Sequence, residues 1–291
     1  MMNHQAAKLE ALVNQSRQSS AKKTRFIAIT SGKGGVGKST ISSNIAYLMA
    51  KYGLKVGIFD ADIGLANLDV MFNVKIQKNI LHVLKGEARV EEILVPIEKN
   101  LVLIPGESGE EIFKYASGGL FERFMDQANV LDDLDVMIVD TGAGIGEHIQ
   151  LFLRACDDVI VVTVPDPAAI TDAYATIKIT SRLRNEINVV MNQVRNPKEA
   201  EALFEKIYKV AQANIGNSLQ LNYLGQVSND PKISNSVKKR ALFTREFPTS
   251  APTAELEMIV KRIAKKLERN VLVDPKESGL GGFFKRLMEH F

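Results

Sequence analysis

The stretch TSGKGGVGKST, residues 30–40, directly follows the apolar run RFIAIT (25–30) and opens a stretch of helical period over about 38–52. Gly32, Gly37, Lys38 and Ser39 fit the pattern G-x-x-x-x-G-K-[ST] between a strand and a helix. The residue types explain themselves chemically. Gly32, Gly34, Gly35 and Gly37 let backbone N–H groups turn inward around two phosphates with no Cβ in the way, and Val36 and Thr40 complete the loop. The helix that follows adds the positive end of its dipole. Lys38 can reach the β- and γ-phosphates, and the Ser39 hydroxyl can ligate Mg²⁺. The stretch therefore predicts a site for a nucleotide's phosphates and Mg²⁺.

Outward from this loop, apolar runs suited to buried strands alternate with helical stretches. The runs are KVGIFD (55–60), LVLIPG (101–106), LDVMIVD (134–140), DVIVVTV (158–164), INVVMNQV (187–194) and LQLNYLGQV (219–227). Helical stretches fall at about 118–131, 147–155, 168–183, 197–214 and 252–269. The rhythm predicts an α/β fold: a doubly wound, mostly parallel sheet with helices on both faces. It divides into an N-terminal helix and polar linker (1–24), one main domain (25–270) and a C-terminal linker with a helix (271–291). Ligands of such sheets bind beyond the carboxyl ends of the strands, so residues just after a strand are the ones to examine.

Two strands end in acids. The second runs into Asp60-Ala61-Asp62, and LDVMIVD ends in Asp140, followed by Gly142 and Gly144. Phosphoryl transfer to water needs Mg²⁺ held in place and a water aligned with the γ-phosphate, and carboxylates serve both needs. Asp62 and Asp140 join Ser39 as candidate metal-side groups. An apolar strand ending in Asp is the Walker B pattern, and the glycines after it let a loop approach the γ-phosphate and move on hydrolysis. Asn192, near the end of INVVMNQV, has an amide that both donates and accepts, which suits the edge of a purine. Its competing reading is a strand-end turn, since Asn196-Pro197 follows.

Composition narrows the class. The chain has 291 residues, 45% apolar and 24% charged, with a net charge of +3. The single cysteine, Cys156, excludes an internal disulfide framework and a cluster site built from cysteine pairs within one chain. Its place before DDVIVVTV suggests a buried packing residue. Nucleic acid is not expected as a partner, because VKKR (237–240) is the one basic run that stands out and a solvated helix end explains it. No stretch approaches the roughly 18 apolar residues that span a bilayer.

The run KGGVGKS, together with the segment DADIGLANLD, resembles the deviant Walker A ATPases of the MinD, ParA and iron-protein class. The resemblance implies that Lys33 reaches across a dimer to a partner's phosphates; the plainer reading is an exposed loop charge. It assigns Asp62 to orienting the attacking water, Asp60 to the same switch region with Asp140, Gly142 and Gly144, and Asn192 to the base. Many MinD relatives carry Pro where Gly142 stands. The segment TVPDPAAITDAYA (163–175) resembles that of the flagellar-number regulators, the FlhG or YlxH family. The N-terminal His4-Gln5-Ala6-Ala7-Lys8-Leu9 partly resembles the element with which that family stimulates its partner GTPase, FlhF, with His4 and Glu10 departing from the pattern. Gln5 and Leu9 are the implied partner residues; an arm packed on its own domain is the alternative. The family implies an ATP-dependent homodimer at the inner face of the cell membrane that controls flagellar number and placement. A septum-site MinD and a DNA-partitioning ParA are the rival branches.

Leu280, Phe283, Phe284, Leu287, Met288 and Phe291 fall at i, i+3, i+4, i+7, i+8 and i+11, one apolar helical face with Lys285 and Arg286 on the other side. That pattern suits the headgroup boundary of an anionic bilayer. It equally suits a helix that completes the core of the ATPase domain.

Overall fold

The computed structural model describes residues 24–62, 67–106 and 133–269, together with Phe283, Arg286 and Leu287. Eight strands form one sheet: β1 (Arg25–Ser31), β2 (Val56–Ala61), β3 (Val95–Glu98), β4 (Leu101–Ile104), β5 (Val136–Ala143), β6 (Asp158–Thr163), β7 (Glu186–Val194) and β8 (Gln220–Ser228). Their order is β3-β4-β2-β5-β1-β6-β7-β8, and the pairings are parallel except β3 with β4. The helices are α1 (Lys38–Lys51), α2 (Leu68–Phe72), α3 (Ile80–Leu84), α4 (Val90–Ile93), α5 (Glu147–Ala155), α6 (Pro167–Thr180), α7 (Pro197–Asn214), α8 (Pro231–Lys238), α9 (Phe243–Glu246) and α10 (Ala251–Arg269). The expected helix at 118–131 lies outside the described residues.

The central strands are apolar throughout because both faces of the sheet are covered. Alternation along β1 sends Phe26 and Ala28 to one core and Ile27 and Ile29 to the other. The first core is closed by residues of α5 and α7, such as Phe152 and Ile207; the second by residues of α1 and α10, such as Ile45 and Ile259. Cys156 belongs to the first core, where burial pushes its thiol up and keeps it inert.

Three helices share one start. Asp166, Asn196 and Asp230 each cap a helix whose first residue is proline, with the side chain accepting from Ala169, Glu199 and Lys232 N–H respectively. The carboxylate or amide satisfies an orphan donor, and proline brings the right φ without losing a needed N–H. Asn196-Pro197 thus starts a helix instead of forming a separate turn. The run VKKR straddles the end of α8, where Lys238, Lys239 and Arg240 are exposed.

Two departures from the sequence reading matter. Thr24, placed in the linker, is buried and donates to Leu134 O at 2.8 Å, so the domain begins one residue earlier. More consequentially, two residues of the apolar C-terminal face pack in the core, the alternative to the bilayer reading. Phe283 and Leu287 are fully buried in the first core. The Phe283 ring stacks on Phe26 at 4.5 Å and 3° and lies 6.5 Å from Phe152. Arg286 Nε donates to Ala155 O at the end of α5, 3.0 Å away. Leu280, Phe284, Met288 and Phe291 lie outside the described residues, as do Gln5 and Leu9.

At the end of the sheet opposite the strand C-termini, Asp158 is bound by Arg25 Nε at 2.5 Å and Lys266 Nζ at 2.7 Å, and Lys266 also reaches Glu186 at 2.8 Å. Burial alone would raise the Asp158 carboxyl; the hydrogen bonds from Arg25 and Lys266 outweigh it and hold it below its ordinary 3.8. The unfolded chain therefore takes up this proton first as pH falls. The stability that Asp158 contributes is full above about pH 4 and is lost as pH drops through the lower folded value. Asp158→Asn should cost about 1.5–3 kcal/mol near neutrality, since it takes a charged acceptor away from Arg25 and Lys266, and should flatten the loss of stability below about pH 4. Urea unfolding from about pH 3 to 7 checks this; an unchanged acid slope would refute it.

Candidate nucleotide site

The loop between β1 and α1 has the backbone its glycines permit. Gly35 and Gly37 have φ of +81° and +86°. A Cβ on Gly34 or Gly35 would meet nothing within 4 Å, whereas one on Gly32 would lie 2.2 Å from Asp172 O. Gly37 caps α1 and no side chain accepts from its first turn. Those N–H groups, with the helix dipole behind them, are left to an anion.

Around this cradle the strand ends bring three acids to one lysine. Lys38 is 6% exposed; its Nζ lies 3.1 Å from Asp140 Oδ1 and 3.6 Å from Asp62 Oδ2. Asp140 Oδ2 is buried with no hydrogen-bond partner. Burial pushes the half-buried Asp62 carboxyl up, against the pull of Lys38. Asp60 is more extreme: burial, reinforced by Asp140, pushes it to about 7. Its carboxylate accepts from Asp62 N at 3.3 Å and from Asn67 N and Leu68 N at 3.1 Å each. Asp60, expected in the switch region, is buried and ties Asp62 to Asn67 and Leu68.

The orphaned Asp140 oxygen suits a hard cation, and the Lys38 ammonium that binds the other Asp140 oxygen also lies 3.5 Å from Ser39 Oγ. Among the described residues no cluster of three or more His, Cys, Asp or Glu could hold a metal unaided. A Mg²⁺ ion commonly takes only one or two protein groups and completes its shell with phosphates and water. Gly142 lies against Asp62: a Cβ there would be 3.2 Å from Asp62 Oδ1. Gly144, at φ +102°, donates its N–H to Ser31 O at 2.8 Å, so the segment after β5 is tied to the end of β1. Lys33 is exposed and paired with Asp166 at 3.0 Å.

Asn192 is brought to the loop, but with one hand occupied. Its Nδ2 donates to Val36 O at 2.8 Å, and the missing Cβ of Gly37 makes the room. Oδ1 and the second Nδ2 hydrogen remain for a base. Sequence reasoning missed two other residues. Ser42 donates its hydroxyl to Asp140 Oδ1 at 2.8 Å, one turn along α1 from Lys38. Asp166 could be read as a helix cap, but nothing in the sequence pairs it with Lys33.

A P-loop directly after a central strand, with acids at the ends of two neighbouring strands, defines a P-loop NTPase. The chain belongs to the ParA family: a model described as "ParA: NUBPL iron-transfer P-loop NTPase" matches residues 22–266. Within that family it stands with flagellar proteins. It is 51% identical to the flagellum site-determining protein YlxH of Helicobacter pylori, over 99% of both chains. It is 33% identical to the antiactivator FleN of Pseudomonas aeruginosa, over 91% of this chain and 94% of that one. In fold it is similar to the septum site-determining protein MinD complexed with Mg-ADP from Pyrococcus horikoshii, with a TM-score of 0.66 and 20% identity, covering 84% of this chain and 97% of the other.

The Asn192 contact makes a prediction that needs no ligand. Asn192→Ala leaves the Val36 carbonyl unpaired in a buried place, which costs about 1–3 kcal/mol. The nucleotide-free protein should therefore melt several degrees lower. A variant that melts with wild type while losing nucleotide affinity would mean that Asn192 serves the base alone.

Proposed function

We propose that this protein is an ATP-hydrolysing, ATP-dependently dimerising switch that regulates flagellar number and placement at the inner face of the cell membrane. The observation that carries the ATPase reading is the convergence of Lys38, Asp62 and Asp140 at the open end of the phosphate cradle. An incoming triphosphate takes Lys38 as its counter-ion and the α1 N–H groups as donors. Ser39 and Asp140 would hold Mg²⁺, which would supply neutralisation of the phosphate charge. Asp62 orients the attacking water, while Asp60 holds the segment that carries it. Lys33 contributes from one subunit to the phosphates of the other. Asn192 offers the base an acceptor in Oδ1 and a donor in its second Nδ2 hydrogen; the preference for adenine follows from the family.

The same chain has a second apolar face to dispose of. Among the described residues no helix is long and apolar enough to cross a membrane. The C-terminal segment, docked here through Phe283, Leu287 and Arg286, exchanges the core for an anionic bilayer when ATP pairs two subunits. One short anchor binds marginally, but two on one particle gain about 10²-fold in avidity. The N-terminal segment, with Gln5 and Leu9, engages an FlhF-like GTPase. The flagellar likeness of the two relatives supports this branch over a septum-site role.

Two tests separate the parts. Lys38→Ala should abolish nucleotide binding, whereas Asp62→Ala should bind and dimerise but fail to turn over; wild-type ATPase in Asp62→Ala would remove that residue from the mechanism. For the membrane, wild type should sediment with anionic liposomes in ATP and far less in ADP. A chain ending at Lys276 should stay in solution in both, and its co-sedimentation in ATP would exclude the C-terminal segment as the anchor.

A further inference from the structure

Lys33 is not a free loop charge. Its Nζ lies 3.0 Å from Asp166 Oδ2, and the two side chains are 45% and 46% exposed. Both ends of this bridge are fixed. Ser31 Oγ donates to Lys33 O at 3.0 Å, which sets the backbone at the loop entrance. Asp166 caps α6, and the same Oδ2 accepts from Ala169 N at 2.9 Å. One residue before Lys33, the loop packs so closely on α6 that Gly32 has no room for a Cβ beside Asp172 O. The loop entrance and the first turns of α6 are therefore one fixed contact, with Lys33 laid across its rim. The Ala169 N–H and the Lys33 ammonium hold the Asp166 carboxyl below its ordinary value, so it is charged at neutral pH.

This inference rests on the reading in which Lys33 serves the phosphates of a second copy. We propose that Asp166 is a positioning residue that parks Lys33 on its own subunit until a partner's nucleotide phosphates take the lysine over. It touches no reacting atom. A phosphate group outbids a single carboxylate through its greater charge and its several acceptor oxygens. Asp166 keeps its bond to Ala169 N throughout, so α6 does not unravel when the lysine leaves. The bridge therefore opposes dimerisation in subunits whose partner carries no triphosphate and yields when one arrives.

The size of the effect follows from exposure. An ion pair this open to solvent biases an equilibrium by about fivefold at most. A dimer releases two lysines, so the ceiling is about 25-fold in the dimer dissociation constant. A bridge this weak biases assembly without blocking it, as a reversible parking contact requires.

The full chain with Mg²⁺ and a non-hydrolysable ATP analogue provides the test, with dimer dissociation constants measured by sedimentation velocity. Asn and Ser both cap helices well, so Asp166→Asn and Asp166→Ser remove the charge and keep the start of α6. Both should tighten the dimer by about 5- to 25-fold at low salt, with nucleotide affinity of the monomer unchanged. The advantage should shrink as salt rises, because an exposed pair is screened; a purely structural role for Asp166 would show no such dependence. Lys33→Ala should fail to dimerise, and adding Asp166→Asn to it should restore nothing, since no lysine is left to release. If Lys33→Ala dimerises like wild type, the trans role of Lys33 fails and the parking role falls with it. If Lys33→Ala is monomeric but neither Asp166 variant dimerises more tightly than wild type, the parking role alone is overturned.

Discussion

The register between β2 and β5 places Asp60 directly beside Asp140. Adjacent strands lie only about 4.8 Å apart, so two carboxylates are forced together in a buried place, with Asp62 two residues on. The register is not chosen by the charges. It is set by the apolar residues below them, from Val56 to Phe59 against Val136 to Val139, because a slip of one residue would turn every one of these side chains to the wrong face. The core thus dictates an electrostatic conflict at the top of the sheet. The molecule answers it in three ways. Asp60 is pushed to about 7 and fastened by three backbone N–H groups. Asp140 takes Lys38 and Ser42 on one oxygen. Lys38 is buried among the acids as their counter-ion. A single lysine serving three acids is a pocket tuned to a cation and a polyanion arriving together.

The same crowding ties the moving parts to one another. Asp60 closes the segment that carries Asp62, and Asp62 lies against Gly142, where any side chain would press on its carboxylate. Movement after β5 is therefore felt at Asp62, and the reverse. Five residues beyond Gly142, α5 begins, and its nine residues end at Ala155. At about 1.5 Å per residue, a helix of this length spans about 13 Å. Its far end is where Arg286 binds, and Phe152 lies beside Phe283. One helix thus has the glycines that follow β5 near one end and Phe283 and Arg286 at the other.

Much of this was legible in the sequence, for definable reasons. The loop at 30–40 carries its geometry in its glycines, and the acids follow long apolar runs whose ends are easy to see. The helix expected at 197–214 occupies those residues, since its cap, its proline and its period agree. The strand β3 was missed because it is four residues long, contains Pro96 and sits on an edge, where proline is tolerated and the apolar signal is thin. The short helices α2, α3, α4 and α9 carry too few turns for a period to appear. Ser42, the donor side of Asn192 and the partner of Lys33 were illegible for another reason. Each is a side-chain contact across about 98 to 156 residues of chain, and local patterning holds no record of it.

The C-terminal segment marks the limit of pattern reading, because periodicity reports that a face will be buried and not against what. Phe283 and Leu287 gain about 1.5–3 kcal/mol each on leaving water, and the core of a protein and the interior of a bilayer supply that term almost equally. The hydrophobic effect therefore cannot choose between the two homes. The choice falls to smaller, specific terms. On the protein side these are the stack of Phe283 on Phe26, at about 0.5–1.5 kcal/mol, and the Arg286 bond to Ala155 O, which a charged donor makes worth about 1.5–3 kcal/mol. On the membrane side they are the attraction of Lys285 and Arg286 to anionic headgroups, at about 1 kcal/mol each, and the avidity of a second copy. These sums are of the same order, which is the condition for a segment to be switched at all. Had either home been favoured by about 10 kcal/mol, no pairing of subunits could have moved it, since inverting a population from 1:99 to 99:1 takes only about 5.5 kcal/mol.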